Sequence, residues 1–275
     1  MQGTTDISEG PDISGLAKRV VEIVREAGRE ICRAHDYTIF TKEGHENYAT
    51  EVDIRVQRLL VEKLSPLIFG AVFILEEEQE TVPALGEYTW IIDPIDGTQN
   101  FINGYRHSAI SVALLRGTTG IFGVVYNPYV DELFSAILGQ GAFLNGHPIK
   151  VSNRPYKTAL IGFGTASYYH DRAELAMKIL GRVFTVGCCD LRRAGCAALD
   201  LCYVACGRHD AFYELHLSPW DYAGASIILR EAGARLEALA PDSWDYTKAV
   251  GILGANPIIF DQLRKTIEDI ILEKE

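Results

Sequence analysis

The chain has 275 residues, of which 48% are hydrophobic and 23% charged, the ordinary balance of a globular protein with room for one large domain or two closely packed halves. Its net charge of −11 argues against a general nucleic-acid binder, which would show a basic face. No apolar run approaches the ~18 residues of a membrane span, and Met1 to Pro11 lacks the basic-then-apolar pattern of a targeting signal, so the expectation is a cytoplasmic protein without membrane or nucleic-acid partners.

Residues 1–12 read as a flexible tail. Ile13, Leu16, Val20, Ile23, Val24, Ala27 and Ile31 recur at helical spacing and predict a helix over about 13–35. Val52, Val56, Leu59, Leu60 and Leu64 predict a second over about 52–64, stopped by Pro66. Short strands follow: 72–75, running into Glu76-Glu77-Glu78, and 88–92, running into Asp93. Segments 110–115 and 121–126 flank Gly117-Thr118-Thr119-Gly120, which reads as a hairpin turn. Segments 132–138 and 141–149 continue the antiparallel pattern, with turns at 139–141 and 145–146.

The second half alternates. A strand at 159–163, a helix at 171–180, a small-residue helix at 195–206 and a strand at 211–215 come first. Ser218-Pro219 opens a helix to about 232, with Ser as N-cap and Pro at the first helical position. Strands at 235–239 and 250–253 and an amphipathic helix at 257–273 complete the chain. Hairpins followed by mixed elements point to α+β layers with mixed and antiparallel sheets, rather than a doubly wound sheet.

Of the six cysteines, Cys202 and Cys206 lie near His209, but Cys-x₃-Cys-x₂-His lacks a fourth zinc ligand at a familiar spacing. They read, like Cys32, Cys188, Cys189 and Cys196, as reduced thiols.

The strongest chemical signal is Ile92-Asp93-Pro94-Ile95-Asp96-Gly97-Thr98. An apolar strand meets two carboxylates three apart, then a glycine and a hydroxyl. Pro94 has no N–H and cannot continue a ladder, so Asp93 and Asp96 are expected to turn toward one point. Hard oxygen ligands there suit Mg²⁺, which takes carboxylates, water and substrate phosphate. Gly97 permits close backbone approach. Read alone, the segment is also an ordinary Asp/Gly turn, Glu76-Glu77-Glu78 a solvated charge run, and Asp53 a first-turn acid in a helix capped by Thr50. Asp221 falls in the first turn of its helix, where an acid is stabilising whatever its function. Together these acids specify a two-metal style hydrolase.

Ile92 to Phe101 resembles the first signature of the inositol monophosphatase family, and Trp220-Asp221-Tyr222-Ala223-Gly224-Ala225 resembles its second. Glu76-Glu77-Glu78 lies where that family carries a Glu-Glu pair, and the similarity runs from about 13 to 270. The resemblance implies a layered α/β/α/β/α sandwich of the sugar-phosphatase type. It implies one phosphatase domain over 13–275, with an N-terminal half of about 13–153 and a C-terminal half of about 154–275. It implies two or three Mg²⁺ per site, lithium sensitivity and a homodimer. Metal ligands would be Asp93, the Ile95 carbonyl, Asp96, Asp221 and one glutamate, with Glu77 favoured over Glu76. Thr98 and Asp53 would orient the attacking water, with Lys42 upstream. Asp96, Gly97, Thr98, Gly195, Cys196, Ala197 and Glu214 would meet the substrate. Cys196 stands where the family often has a hydroxyl, and His216 is a specificity candidate. The implied reaction is hydrolysis of a small phosphorylated metabolite, inositol monophosphate first, by in-line attack without a covalent phosphoenzyme. Fructose-1,6-bisphosphatase, histidinol-phosphatase, NADP(H) phosphatase and bisphosphate nucleotidase are alternatives within the superfamily. A non-catalytic homologue retained as a binding partner is an alternative outside catalysis. Aspartyl-phosphate phosphatases use Asp-x-Asp, whereas the spacing here is Asp-x-x-Asp.

Overall fold

The structure is a computed structural model and describes residues 11–42, 48–77, 81–240 and 244–272. Glu78, nearly all of the tail 1–12 and most of the polar loop 41–47 lie outside the described residues.

Helix α1 (Ile13–Arg33) starts at Asp12, whose carboxylate accepts the Ser14 N–H at 3.1 Å. A hairpin of β1 (Ile39–Thr41) and β2 (Tyr48–Thr50) leads into α2 (Glu51–Leu64). The large sheet follows as β3 (Val72–Leu75), β4 (Tyr88–Asp96), β5 (Ala109–Arg116), β6 (Thr119–Asn127), β7 (Glu132–Ile137), β8 (Ala142–Leu144) and β9 (His147–Ile149), with short α3 (Thr98–Ile102) after β4. These strands lie in chain order; β3 pairs parallel to β4 and every other pair is antiparallel. The remainder runs β10 (Leu160–Phe163), α4 (Ala173–Val186), β11 (Asp190–Arg192), α5 (Ala197–Ala205), β12 (Ala211–Leu217), α6 (Pro219–Glu231), β13 (Arg235–Ala238), β14 (Val250–Ala255) and α7 (Phe260–Leu272). Its sheet has the order β11-β10-β12-β14-β13, parallel across the first three strands and antiparallel across the rest.

Side-chain alternation along the strands builds three apolar clusters that fill the four interfaces between five structural layers. Trp90, Ile92, Ile110, Val112, Leu114, Phe122 and Val124 face α1 and α2. Ile91, Ala109, Ala113, Leu115, Val125 and Phe134 point the other way, onto α5 and α6. Those helices also meet Phe212, Leu236 and Ile252 of the second sheet, whose far face packs Ile161, Tyr213 and Leu253 under α4 and α7. The result is the expected α/β/α/β/α sandwich.

Helix α6 is apolar almost all round, as a helix buried between two sheets must be. It approaches the large sheet backbone to backbone. A Cβ on Gly123 would lie 2.3 Å from the Gly224 carbonyl oxygen, and one on Gly224 would lie 2.8 Å from Ser111 Oγ. Only paired glycines allow this contact, and it brings the first turn of α6 to the end of β4.

One expectation is corrected here. The strand at 88–92 does not stop at Asp93 but runs to Asp96. Asp93 pairs with Ser111 and Asp96 with Ala109, so β4 gains one residue relative to β5. This is a bulge, and Pro94 sits inside it, where no ladder N–H is required. Helix α3, the β1–β2 hairpin and β11 are additions to the expected elements; each has only three or five residues. The turn after β5 is the two residues Gly117-Thr118, tighter than the expected four.

Candidate metal centre

Three chain segments converge at one end of the large sheet: the β4 bulge, the start of α6 and the end of β3. Within the bulge, Asp93 Oδ1 accepts the Ile95 N–H at 2.9 Å. Asp96 Oδ2 accepts the Ala198 N–H at 2.7 Å and the Cys196 thiol at 3.0 Å, both at the start of α5. Asp221, in the first turn of α6, accepts the Ser218 N–H at 2.7 Å through Oδ2. Each carboxylate is thus oriented by backbone donors. One oxygen each from Asp93, Asp96 and Asp221 lies within 4.8 Å of the others.

Glu76 joins this group. It follows β3, donates its backbone N–H to the Ile92 carbonyl at 3.3 Å and lines the cleft beside Asp93. Its Oε1 accepts from Lys42 Nζ at 2.9 Å, while its buried Oε2 has no hydrogen-bond partner. Glu77 is placed differently. Its backbone is clamped by the Gln57 amide in both directions, at 2.6 and 2.9 Å, and its carboxylate pairs with Lys42. The resemblance to the family's pattern favours Glu77 as the ligand; the structure turns Glu76, not Glu77, into the cleft. Register explains the difference, because Ile74 is the last fully buried residue of β3 and the cleft-facing position comes two residues later.

The electrostatics of these acids point to a missing positive charge. Burial, then the charges of Glu76, Asp96 and Asp221, holds the Asp93 carboxyl well above the usual range. Burial, followed by Asp96 and Glu76, does the same to Asp221. Burial pushes Asp96 up to about 6 even though the Cys196 thiol and Ala198 N–H oppose it. Packed carboxylates that resist ionisation gain most from a divalent cation, which reverses the local charge. The hard oxygens and the orphaned Glu76 Oε2 fit such an ion.

Asp53 and Thr98 form the adjoining pair. Asp53 is fully buried in the first turn of α2, where its Oδ2 accepts the Thr50 N–H at 2.7 Å and the Thr50 hydroxyl. Its Oδ1 lies 3.3 Å from Thr98 Oγ1, which also lies 3.1 Å from the Ile95 carbonyl oxygen. Burial pushes Asp53 up to about 6.

The cleft above has a volume of about 350 Å³. Asp96, Gly97, Thr98, Gly195, Cys196, Ala197 and Glu214 all line it, as does His216. Gly97 has φ +87°, and a Cβ there would lie 3.0 Å from the Gly195 carbonyl oxygen, so this wall requires glycine. Glu214 Oε1 accepts the Ala166 N–H at 2.9 Å, and burial pushes its carboxyl up to about 7. The His216 ring packs 4.1 Å from the Tyr169 ring. His107 lies off the cleft lining, against Tyr203 at 5.8 Å. His209 is turned to Asp200, at 3.9 Å, and among the described residues it forms no ligand cluster with Cys202 and Cys206.

Sequence reasoning overlooks several residues here. Gln57 lies one helical turn beyond Asp53 on the buried face of α2, so a polar residue in an apolar stripe is the signal that finds it. Asn100 ties the β4 turn to the α5 loop, donating to the His107 and Ala194 carbonyls at 2.7 and 2.8 Å. Arg193 and Tyr168 also line the cleft and carry no local signal.

Comparison with known proteins gives a consistent result. The model of the inositol monophosphatase family matches residues 12–272. The chain is 34% identical over 254 residues to the Nus factor SuhB of Salmonella typhimurium, covering 90% of this chain and 94% of that one. It is 37% identical over 241 residues to inositol monophosphatase 1 of Solanum lycopersicum, covering 84% of each. Among solved structures, the IMPase of Thermotoga maritima superposes with a TM-score of 0.83 at 28% identity, covering 95% of this chain and 100% of that one.

Proposed function

Because the chain belongs to the inositol monophosphatase family, we propose that it is a Mg²⁺-dependent phosphatase acting on a small phosphate monoester, with inositol monophosphate the first candidate. The observation that carries this reading is the gathering of Asp93, Asp96 and Asp221 beside an unpartnered Glu76 oxygen, next to the Asp53–Thr98 pair. Glu76, Asp93, Asp96, Asp221 and the Ile95 carbonyl would hold two or three ions, with Glu76 taking the place the resemblance gives to Glu77. Bound Mg²⁺ would supply positive charge to the phosphoryl oxygens and ease deprotonation of a water.

The chain's own groups do the rest. Thr98 Oγ receives a hydrogen bond from the attacking water and passes a proton toward Asp53 Oδ1, a base whose raised pKa suits it to hold one near neutrality. The N–H groups of Gly97 and Thr98 face the phosphate charge as it grows. Gly195, Cys196 and Ala197 shape the wall against the alcohol, and Glu214 accepts a substrate hydroxyl. Lys42 holds Glu76 and Glu77 in place from the opposite side. Attack is in line, the P–O bond to the alcohol breaks, and no phosphoenzyme forms. The enzyme is further proposed to be lithium-sensitive, cytoplasmic and homodimeric; among the described residues no helix is long and apolar enough to cross a membrane.

A second reading, a regulatory protein that keeps the fold, draws on the name Nus factor carried by relatives. The intact carboxylate set favours turnover. Phosphate release from inositol 1-phosphate, glycerol 2-phosphate, fructose 1,6-bisphosphate, histidinol phosphate, adenosine 3′,5′-bisphosphate and NADP, with and without Mg²⁺, separates the two. Mg²⁺-dependent release that lithium suppresses is the expected result. A folded, metal-binding protein that releases phosphate from none of them would leave the regulatory reading standing.

A further inference from the structure

Arg193 has no role in the chemistry above, yet it occupies the cleft. It sits in the loop before α5, and its guanidinium folds back over Gly195: a Cβ there would lie 2.2 Å from Arg193 Nη1. The only hydrogen bond the side chain makes among the described residues is a long one, 3.5 Å to Thr165 Oγ1. No carboxylate oxygen of the described residues comes within 4.0 Å of it, whereas seven other arginines form ion pairs among the described residues. The residue is exposed at the cleft, which it lines, and its charge reaches Asp96, Asp200 and Glu214.

Two features place it relative to the reacting phosphate. The Gly195 carbonyl closes on Gly97, the glycine at the phosphate end. The same Gly195 carries the guanidinium on its other side. One residue therefore separates the phosphate wall from an open, planar cation with four of its five donors unused. A guanidinium with free donors, in a cleft whose lining also holds Lys42 and His216, offers an anion a partner, and its fork matches carboxylate and phosphate alike.

We propose that Arg193 is a specificity-determining residue that binds a second anionic group on the substrate. The preferred alcohol then carries a carboxylate or a further phosphate a short carbon chain away from the phosphate that is removed. The proposal rests on the phosphatase reading above and narrows it. Glu214, which also lines the cleft, would take a hydroxyl of the same substrate, which makes a phosphorylated sugar or hydroxy acid a better fit than a neutral polyol monophosphate.

The test compares matched pairs that differ by one anion: fructose 1-phosphate against fructose 1,6-bisphosphate, and glycerol 2-phosphate against 2-phosphoglycerate. The readout is the ratio of kcat/KM within each pair, for the wild type, Arg193→Gln and Arg193→Lys, all with Mg²⁺. The expected wild-type preference for the doubly charged member is about tenfold or more in at least one pair, and which pair shows it tells phosphate from carboxylate. Arg193→Gln should bring that ratio to about one, and Arg193→Lys should leave it in between. Absence of a wild-type preference in both pairs would overturn the proposal. So would an equal loss on both members in Arg193→Gln, which would place the guanidinium on the reacting phosphate instead. Hydrolysis of none of the four compounds would leave the phosphatase reading to the wider panel above. Calorimetric binding of the same pairs to wild type and Arg193→Gln then still decides the role of Arg193.

Discussion

Side chains at the candidate metal centre are held in a protonation conflict, and that conflict can be measured. Folded-state values pushed up to about 6 for Asp53 and Asp96 and about 7 for Glu77 and Glu214, each chiefly by burial, exceed those of the unfolded chain. The native state therefore binds more protons than the unfolded state, and stability falls as pH rises from about 4 toward 7. In metal-free protein, Tm is expected to drop between pH 5.5 and 7.5; an unchanged or rising Tm across that window contradicts the arrangement. Mg²⁺ at 100 times its Kd should restore about 2.7 kcal/mol at pH 7.5, or roughly 5 °C or more. Asp96→Asn should lose that Mg²⁺ response and turnover together while keeping, or raising, the metal-free Tm. Glu76→Gln should likewise lose the Mg²⁺-induced shift. Glu77→Gln should keep it, because its carboxylate faces Lys42, and a thermal scan of the two variants decides between them.

At the scale of elements, the metal centre depends on how closely α6 lies on the large sheet. Gly123→Ala would drive a methyl group into the Gly224 backbone. The expected cost is about 1–3 kcal/mol, accompanied by weaker Mg²⁺ binding as Asp221 is displaced from Asp93 and Asp96. Denaturant unfolding and Mg²⁺ titration on one preparation test both parts. A stable variant with unchanged metal affinity would mean that the glycine contact does not set the site. The long elements were legible in sequence because α1, α2, α7 and the hairpins each bury one face against a single neighbour, which leaves a clean period of 3.6 or 2. Asp93, Asp96 and Thr98 stood out where an apolar strand meets carboxylates, a glycine and a hydroxyl, whereas Asp221 stood out through the resemblance of its segment to the family's second signature. The short β1, β2, β11 and α3 bury too little to leave a pattern; Ile39 and Phe40 of β1 are exposed. The Glu76–Glu77 choice depended on where β3 stops, a one-residue question that alternation over four residues cannot resolve. Arg193 was invisible because its partners, Gly195 and the cleft, are set by the docking of α5 on β4.

For the molecule as a whole, a net charge of −11 and an acidic cleft are both unfavourable to a phosphorylated ligand. Orthophosphate should therefore show no calorimetric binding to the metal-free protein and measurable binding once Mg²⁺ is added. Equal affinity in both conditions would mean that cationic side chains, not metal, receive the anion. The same architecture has a temporal side. Asp93 and Asp96 belong to the first sheet and Glu76 directly follows its strand β3, whereas Asp221 arrives on α6, a helix whose buried faces are completed by both sheets. The ligand set cannot assemble before that helix is seated between them. If the site takes Mg²⁺ as proposed, its uptake during refolding would be a clock for one event, the closing of the shared middle layer, and its rate would report when the two sheets first share a core.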